Sequence, residues 1–165
     1  VRVYIPATLA MLQQLVAERV LHARNGTAFA VTPTLREAYS HGDDEELAEV
    51  ALRDAALAAL RLLASEGTSG LPPRRAVLVA DAGEVTLRPD LDDAAVRLSG
   101  PVGIDDVVAA FVDIADAEAA VLAAVEAVDA ADLGDDDAEF VVGDAQDHDL
   151  AWYAVQELPF LLDLL

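Results

Sequence analysis

The stretch over residues 75–81 constrains the fold more than any other. Its middle, Ala76, Val77, Leu78, Val79 and Ala80, is an unbroken apolar run of strand length with a charged residue at each end, Arg75 and Asp81. A strand with one face in water alternates apolar and polar residues, whereas one that is apolar at every position hides both faces. The run therefore predicts a central strand in a sheet that carries packed helices.

The rest of the chain reads as elements arranged around that strand. Val1, Arg2, Val3, Tyr4 and Ile5 alternate and stop at Pro6, which predicts a strand. A helix follows over residues 8–20, with Leu9, Leu12, Val16 and Val20 on one face and Gln14 and Glu18 opposite. Asn25 and Gly26 signal a turn before a second strand at 28–31. Thr34 is expected to cap a short helix over 35–39, with Glu37 at the third position of a capping box.

The acids at 43–46 open the longest helix, to about Ser65, and suit the positive end of its dipole. Its leucines point in nearly every direction, so it is expected to be buried on more than one side; Arg53, Asp54 and Arg61 share the remaining sector. Residues 66–73 form a surface loop, and shorter strands follow at 85–88 and 95–98, then a buried one at 107–114. Asp116 is expected to cap a helix to about residue 131. An acidic loop at 133–137 and an edge strand at 139–142 come next, and a last helix runs from Asp144 or Asp147 to Pro159. The apolar tail, 159–165, should dock on its own core or on a second subunit. The expected fold class is α/β, with α+β as the alternative: a single domain over 1–165 with a mixed β-sheet and helices packed on it.

Composition narrows what the chain can do. Hydrophobic residues make up 55% of it, but only eight residues are aromatic, so the interior must be built from small and branched aliphatics. All 10 basic residues are arginine and the net charge is −21, a pattern expected of GC-rich codon usage or, as the alternative, of adaptation to high salt. Residues 1–97 hold every arginine against 14 acids, while residues 98–165 hold 17 acids and no base. Such a surface repels nucleic acid and anionic membranes. It suits water or a basic protein partner.

With no cysteine there is no disulfide, thiolate metal site or cysteine nucleophile. No uncharged apolar run approaches the ~18–20 residues that span a bilayer. Pro6, Gln13, Gln14 and Glu18 interrupt any signal-peptide core, so the cytoplasm is the expected location. Glycine-rich phosphate loops and the nucleophile elbow are missing, so no cofactor is expected. The three histidines lack zinc spacing and the acidic runs lack that of a calcium loop, so no metal is expected either.

The richest polar set lies near the C-terminus. Wound as a helix, residues 148–158 place Asp149, Tyr153, Gln156 and Glu157 on one side, with His148 and Trp152 one turn apart at the margin. An imidazole beside an indole and carboxylates suits ligand binding or proton transfer. The plainer reading is an amphipathic helix whose aromatics seal a small-residue core. Arg36 and Glu37 form a second polar set.

Several separated motifs also carry a resemblance. Arg2 to Pro6, Ala28 to Pro33 running into Leu35, Arg36 and Glu37, Asp44 to Leu47, and Asp147 to Tyr153 continuing through Gln156 to Pro159 together resemble an uncharacterised actinobacterial family, a domain of unknown function. The resemblance spans nearly the whole chain and implies a cytosolic protein of a high-GC bacterium. It transfers no activity and no catalytic residue. The expected function is non-catalytic binding or interaction by a protein with a strongly acidic C-terminal half. A homo-oligomer through the tail and a basic protein are the candidate partners. The alternative is a small-molecule-binding protein or enzyme using the late polar residues.

Overall fold

In a computed structural model that describes residues 1–165, nine strands and six helices succeed one another along the chain. The strands are β1 (Arg2–Ala7), β2 (Val20–Leu21), β3 (Thr27–Phe29), β4 (Ala76–Asp81), β5 (Val85–Leu87), β6 (Ala95–Leu98), β7 (Val102–Gly103), β8 (Val107–Val112) and β9 (Ala151–Ala154). The helices are α1 (Leu9–Glu18), α2 (Pro33–Ala38), α3 (Asp44–Glu66), α4 (Glu118–Asp132), α5 (Asp136–Gln146) and α6 (Leu158–Asp163). Seven strands form one sheet in the order β5-β6-β3-β1-β4-β8-β9, and β2 with β7 makes a small ribbon.

Every pairing is antiparallel, so the class is α+β and the sheet is not mixed in direction. Alternating strands and helices suggested parallel neighbours, but β3 and β4, joined across α3, never meet. Strand β1 lies between them and runs against both.

The apolar run behaves as its pattern predicts. In β4, Leu78 and its alternate neighbours Ala76 and Ala80 join Val3 and Ile5 of β1 beneath α1 and α6. Val77 faces the other way, onto Leu47, Ala51 and Ala55 of α3. The far half of α3 contributes Leu60 and Leu63 to a third cluster with Val121, Ala124 and Val128 of α4 and Val142 and Ala145 of α5. Helix α3 is thus buried on two sides. Its alanines at 51, 55, 56 and 59 are all but inaccessible, which lets neighbouring backbones approach closely.

Four local expectations fail for identifiable reasons. Thr32, not Thr34, caps α2: its Oγ1 accepts from the Leu35 N–H at 3.0 Å, and Pro33, with φ already set for a helix, starts it earlier. Asp116 caps nothing, because the chain enters α4 through a 3-10 turn, Ala115–Ala117. Residues 133–142 are neither loop nor edge strand but a tight reversal at Gly134 followed by α5. The Asp135 carboxylate caps that helix by accepting from the Ala138 N–H at 2.9 Å, and Ala138, Val142 and Ala145 recur at helical spacing on its buried face.

The last helix is the largest correction. Residues 151–154 form β9, where Trp152 and Tyr153 follow the aromatic preference for strands. Pro159 does not end a helix; it sits in the first turn of α6, where a proline costs no hydrogen bond. Leu158 and Leu161 of α6 are buried against the core shared with α1, while Phe160 and Leu164 face solvent. No helix is long and apolar enough to cross a membrane.

Candidate functional site

The ends of two adjacent core strands carry opposite charges. Ala76 pairs with Val112 across β4 and β8, so the residues just beyond them, Arg75 and Asp113, meet. The Asp113 carboxylate accepts from the Arg75 Nε at 2.9 Å, Nη2 at 2.7 Å and backbone N–H at 2.7 Å, and both side chains are essentially inaccessible. Arg75 Nη1 donates to Gln146 Oε1 and Nη2 to the His148 carbonyl, each at 2.8 Å. Gln146 Nε2 then donates to the Arg53 carbonyl of α3 at 3.2 Å. One buried guanidinium therefore ties the sheet, the end of α5 and the chain leading into β9 to one another. A buried bidentate pair with its other donors satisfied holds geometry more than it adds net stability.

That tie shapes a groove between α3 and the β8–β9 side of the sheet. Its polar lobe, about 340 Å³, is lined by Glu49, Arg53, Arg75, Gln146, His148 and Asp149, with Leu52, Ala56 and Leu150 beneath them. A second lobe of about 330 Å³ shares Glu49 and Leu52 as a common wall and is largely apolar. Register explains its lining: Tyr4 sits opposite Val79, and Phe111 opposite Trp152, on the sheet face that α3 leaves partly uncovered. The β4–β8 register shifts between Val79 and Ala80, which makes Val108 the extra residue of a bulge, and Val108 lines the same lobe. Burial holds the Tyr4 phenol above its ordinary pKa, against the Arg2 charge, which lowers it.

The groove's charges are unevenly matched. Arg75 is neutralised by Asp113, and Arg2, at the rim of the apolar lobe, by Asp81 at 3.0 Å. Eight of the ten arginines take part in ion pairs, and Arg53 and Arg97 are the two that do not. Four acids of the C-terminal half, Asp105, Asp113, Glu118 and Asp132, pair with arginines from the first half. A larger depression of about 470 Å³ lies between α1 and the end of α3, but its charged groups, Arg24 and Glu66, satisfy each other.

Of the residues expected from sequence, His148 and Asp149 line the polar lobe and Trp152 the apolar one. Tyr153, the next residue of β9, packs instead against the core on the opposite side of the sheet. Gln156 is exposed, and the Glu157 carboxylate accepts from the Ala154 N–H at 2.9 Å. Arg36 is engaged by Asp44 at 2.6 Å on the surface, and Glu37 is exposed beside it; neither reaches the groove. Asp54 forms an ion pair with neither Arg53 nor Arg61, the arginines that share its sector of α3: Arg61 holds Asp132 instead. Desolvation raises the pKa of the partly buried Asp54 to about 7, and the nearby carboxylates of Asp92 and Asp93 push it the same way, against the Arg53 charge, which lowers it.

The residues that sequence reasoning missed are Arg75, Asp113, Gln146, Glu49, Arg53, Tyr4 and Phe111. For Arg75 and Asp113 a signal existed: Arg75 precedes the apolar run at 76–80 and Asp113 is the charge that interrupts the one expected at 107–114, so antiparallel pairing of the two runs brings them together. Nothing in the spacing of the others points to a shared groove. No curated protein and no solved structure shows significant similarity to the chain. The chain does match the model of a family of unknown function, DUF6912, over residues 1–162, and it belongs to that family.

Proposed function

We propose that the protein is a non-catalytic binding protein that takes a small amphipathic organic molecule in the groove beside α3. The observation that carries this reading is the pairing of two lobes of opposite character across one wall, Glu49 and Leu52. Each lobe is within the usual range for a small-molecule site, and an apolar surface with a few convergent polar groups is its usual chemistry. The rigid Arg75–Asp113 tie beneath the polar lobe supports the reading, because a preorganised site loses less entropy on binding. Absence of cysteine is in keeping with a cytoplasmic setting.

Trp152 is the sole tryptophan and is 59% exposed at the groove, so its emission reports occupancy directly. Titration with a panel of small aromatic and aliphatic amphiphiles should give saturable shifts in that emission, together with a raised melting temperature. Ala48→Phe, which fills the apolar lobe, should abolish both. Saturable binding that survives Ala48→Phe would place the ligand elsewhere and end this reading.

A further inference from the structure

The charge of the groove selects among such ligands, and we propose that its ligand is an organic cation: an apolar or aromatic body bearing an ammonium or similar group. This rests on the groove reading above and adds the sign of the charge. With Arg2 and Arg75 cancelled by Asp81 and Asp113, the charges left on the groove are Arg53 against Glu49 and Asp149, a local excess of one carboxylate. Glu49 takes part in no ion pair and is common to both lobes.

The apolar lobe carries three aromatic rings, Tyr4, Phe111 and Trp152, in a chain that has only eight. Aromatic faces with a free carboxylate at their margin attract an alkylated or aryl ammonium through cation–π and ion-pair terms together. The field of a chain with net charge −21 works in the same direction, drawing cations to the groove and repelling anions. That field also disfavours a second copy of this chain as the occupant, since two such surfaces repel each other.

The test uses three probes of one shape: benzyltrimethylammonium, benzyl alcohol and benzoate, followed through Trp152 emission at fixed ionic strength. The cation should bind about tenfold more tightly than the alcohol, and benzoate more weakly than either. Glu49→Gln should remove most of the preference for the cation over the alcohol. Equal binding of the three probes, stronger binding of benzoate, or a cation preference that survives Glu49→Gln would overturn the assignment of charge while leaving the groove as a binding site. Silence of all three probes would remove the groove reading and this inference together.

Discussion

Replacing Asp113 by alanine is the sharpest probe of the architecture. The carboxylate accepts three hydrogen bonds at 2.7–2.9 Å, two from the Arg75 guanidinium and one from its backbone N–H, and both side chains are buried. Removing it strands a buried cation, which costs about 3–5 kcal/mol, against a total stability of roughly 5–15 kcal/mol. Asparagine should not rescue it, because its amide N–H₂ would face one of the donors the carboxylate accepts. The double variant Arg75→Met with Asp113→Leu removes the charge along with its partner; it still leaves the backbone N–H of residue 75 without its acceptor, at about 1–3 kcal/mol, while the His148 carbonyl and Gln146 Oε1, both on half-buried residues, can turn to water. The double variant should therefore be more stable than Asp113→Leu alone, with a coupling energy on the order of 3 kcal/mol across the cycle closed by Arg75→Met. Urea denaturation at pH 7, with the midpoint shifting and the slope unchanged, measures it. A loss below about 1 kcal/mol for Asp113→Ala, or additivity across the cycle, would refute the reasoning.

Thr32→Ala loses the cap on α2 and the hydrogen bond that the Thr32 hydroxyl donates to the Asp93 carbonyl, so its denaturation midpoint should fall by the equivalent of about 2 kcal/mol. Asp54 has a pKa of about 7 in the fold, above its ordinary 3.8, so its protonated form stabilises the native state. That contribution is complete below about pH 4 and is lost as pH rises through about 7; melting curves from pH 5 to 8 should slope downward in the wild type and flatten in Asp54→Asn. In the tail, Leu161→Ala should cost about 2–4 kcal/mol in chemical denaturation, whereas Phe160→Ser, on a side chain 73% exposed, should stay within about 0.5 kcal/mol. Added salt should raise the melting temperature by screening the −21 charge, and a flat salt response would contradict that account.

Patterns local to a few residues read well from sequence. The apolar run of β4 and the all-round leucines of α3 announce burial on two sides, and both are buried that way. Where the chain offers two periods at once, the reading fails. Residues 139–142 suit either a strand or a helix by their apolar content, and only the cap at Asp135 and packing on α4 decide for the helix. Residues 148–158 make a convincing helical wheel, yet the open edge of β8 recruits residues 151–154 as a strand. That change moves Trp152 and Tyr153 to opposite faces of the sheet, so one serves the groove and the other the core. The groove itself combines residues from β1, α3, β4, β8, α5 and β9, a grouping set by strand order and invisible to spacing along the chain.

The charged ends of the central run have a second life before the fold exists. β1 cannot close its ladder with β4 until residue 81 is available, because Arg2 pairs with Asp81 across most of the domain's first half. During that delay Ala76 to Ala80, apolar, branched and free of proline, is the kind of segment that stacks with copies of itself. Arg75 and Asp81 flank it directly, and charges in that position oppose self-association of an exposed strand. In the folded chain the same two residues are drawn to partners, Arg75 to Asp113 and Asp81 to Arg2. Neutralising them should therefore lower the yield of refolding at high protein concentration by more than their effect on native stability accounts for.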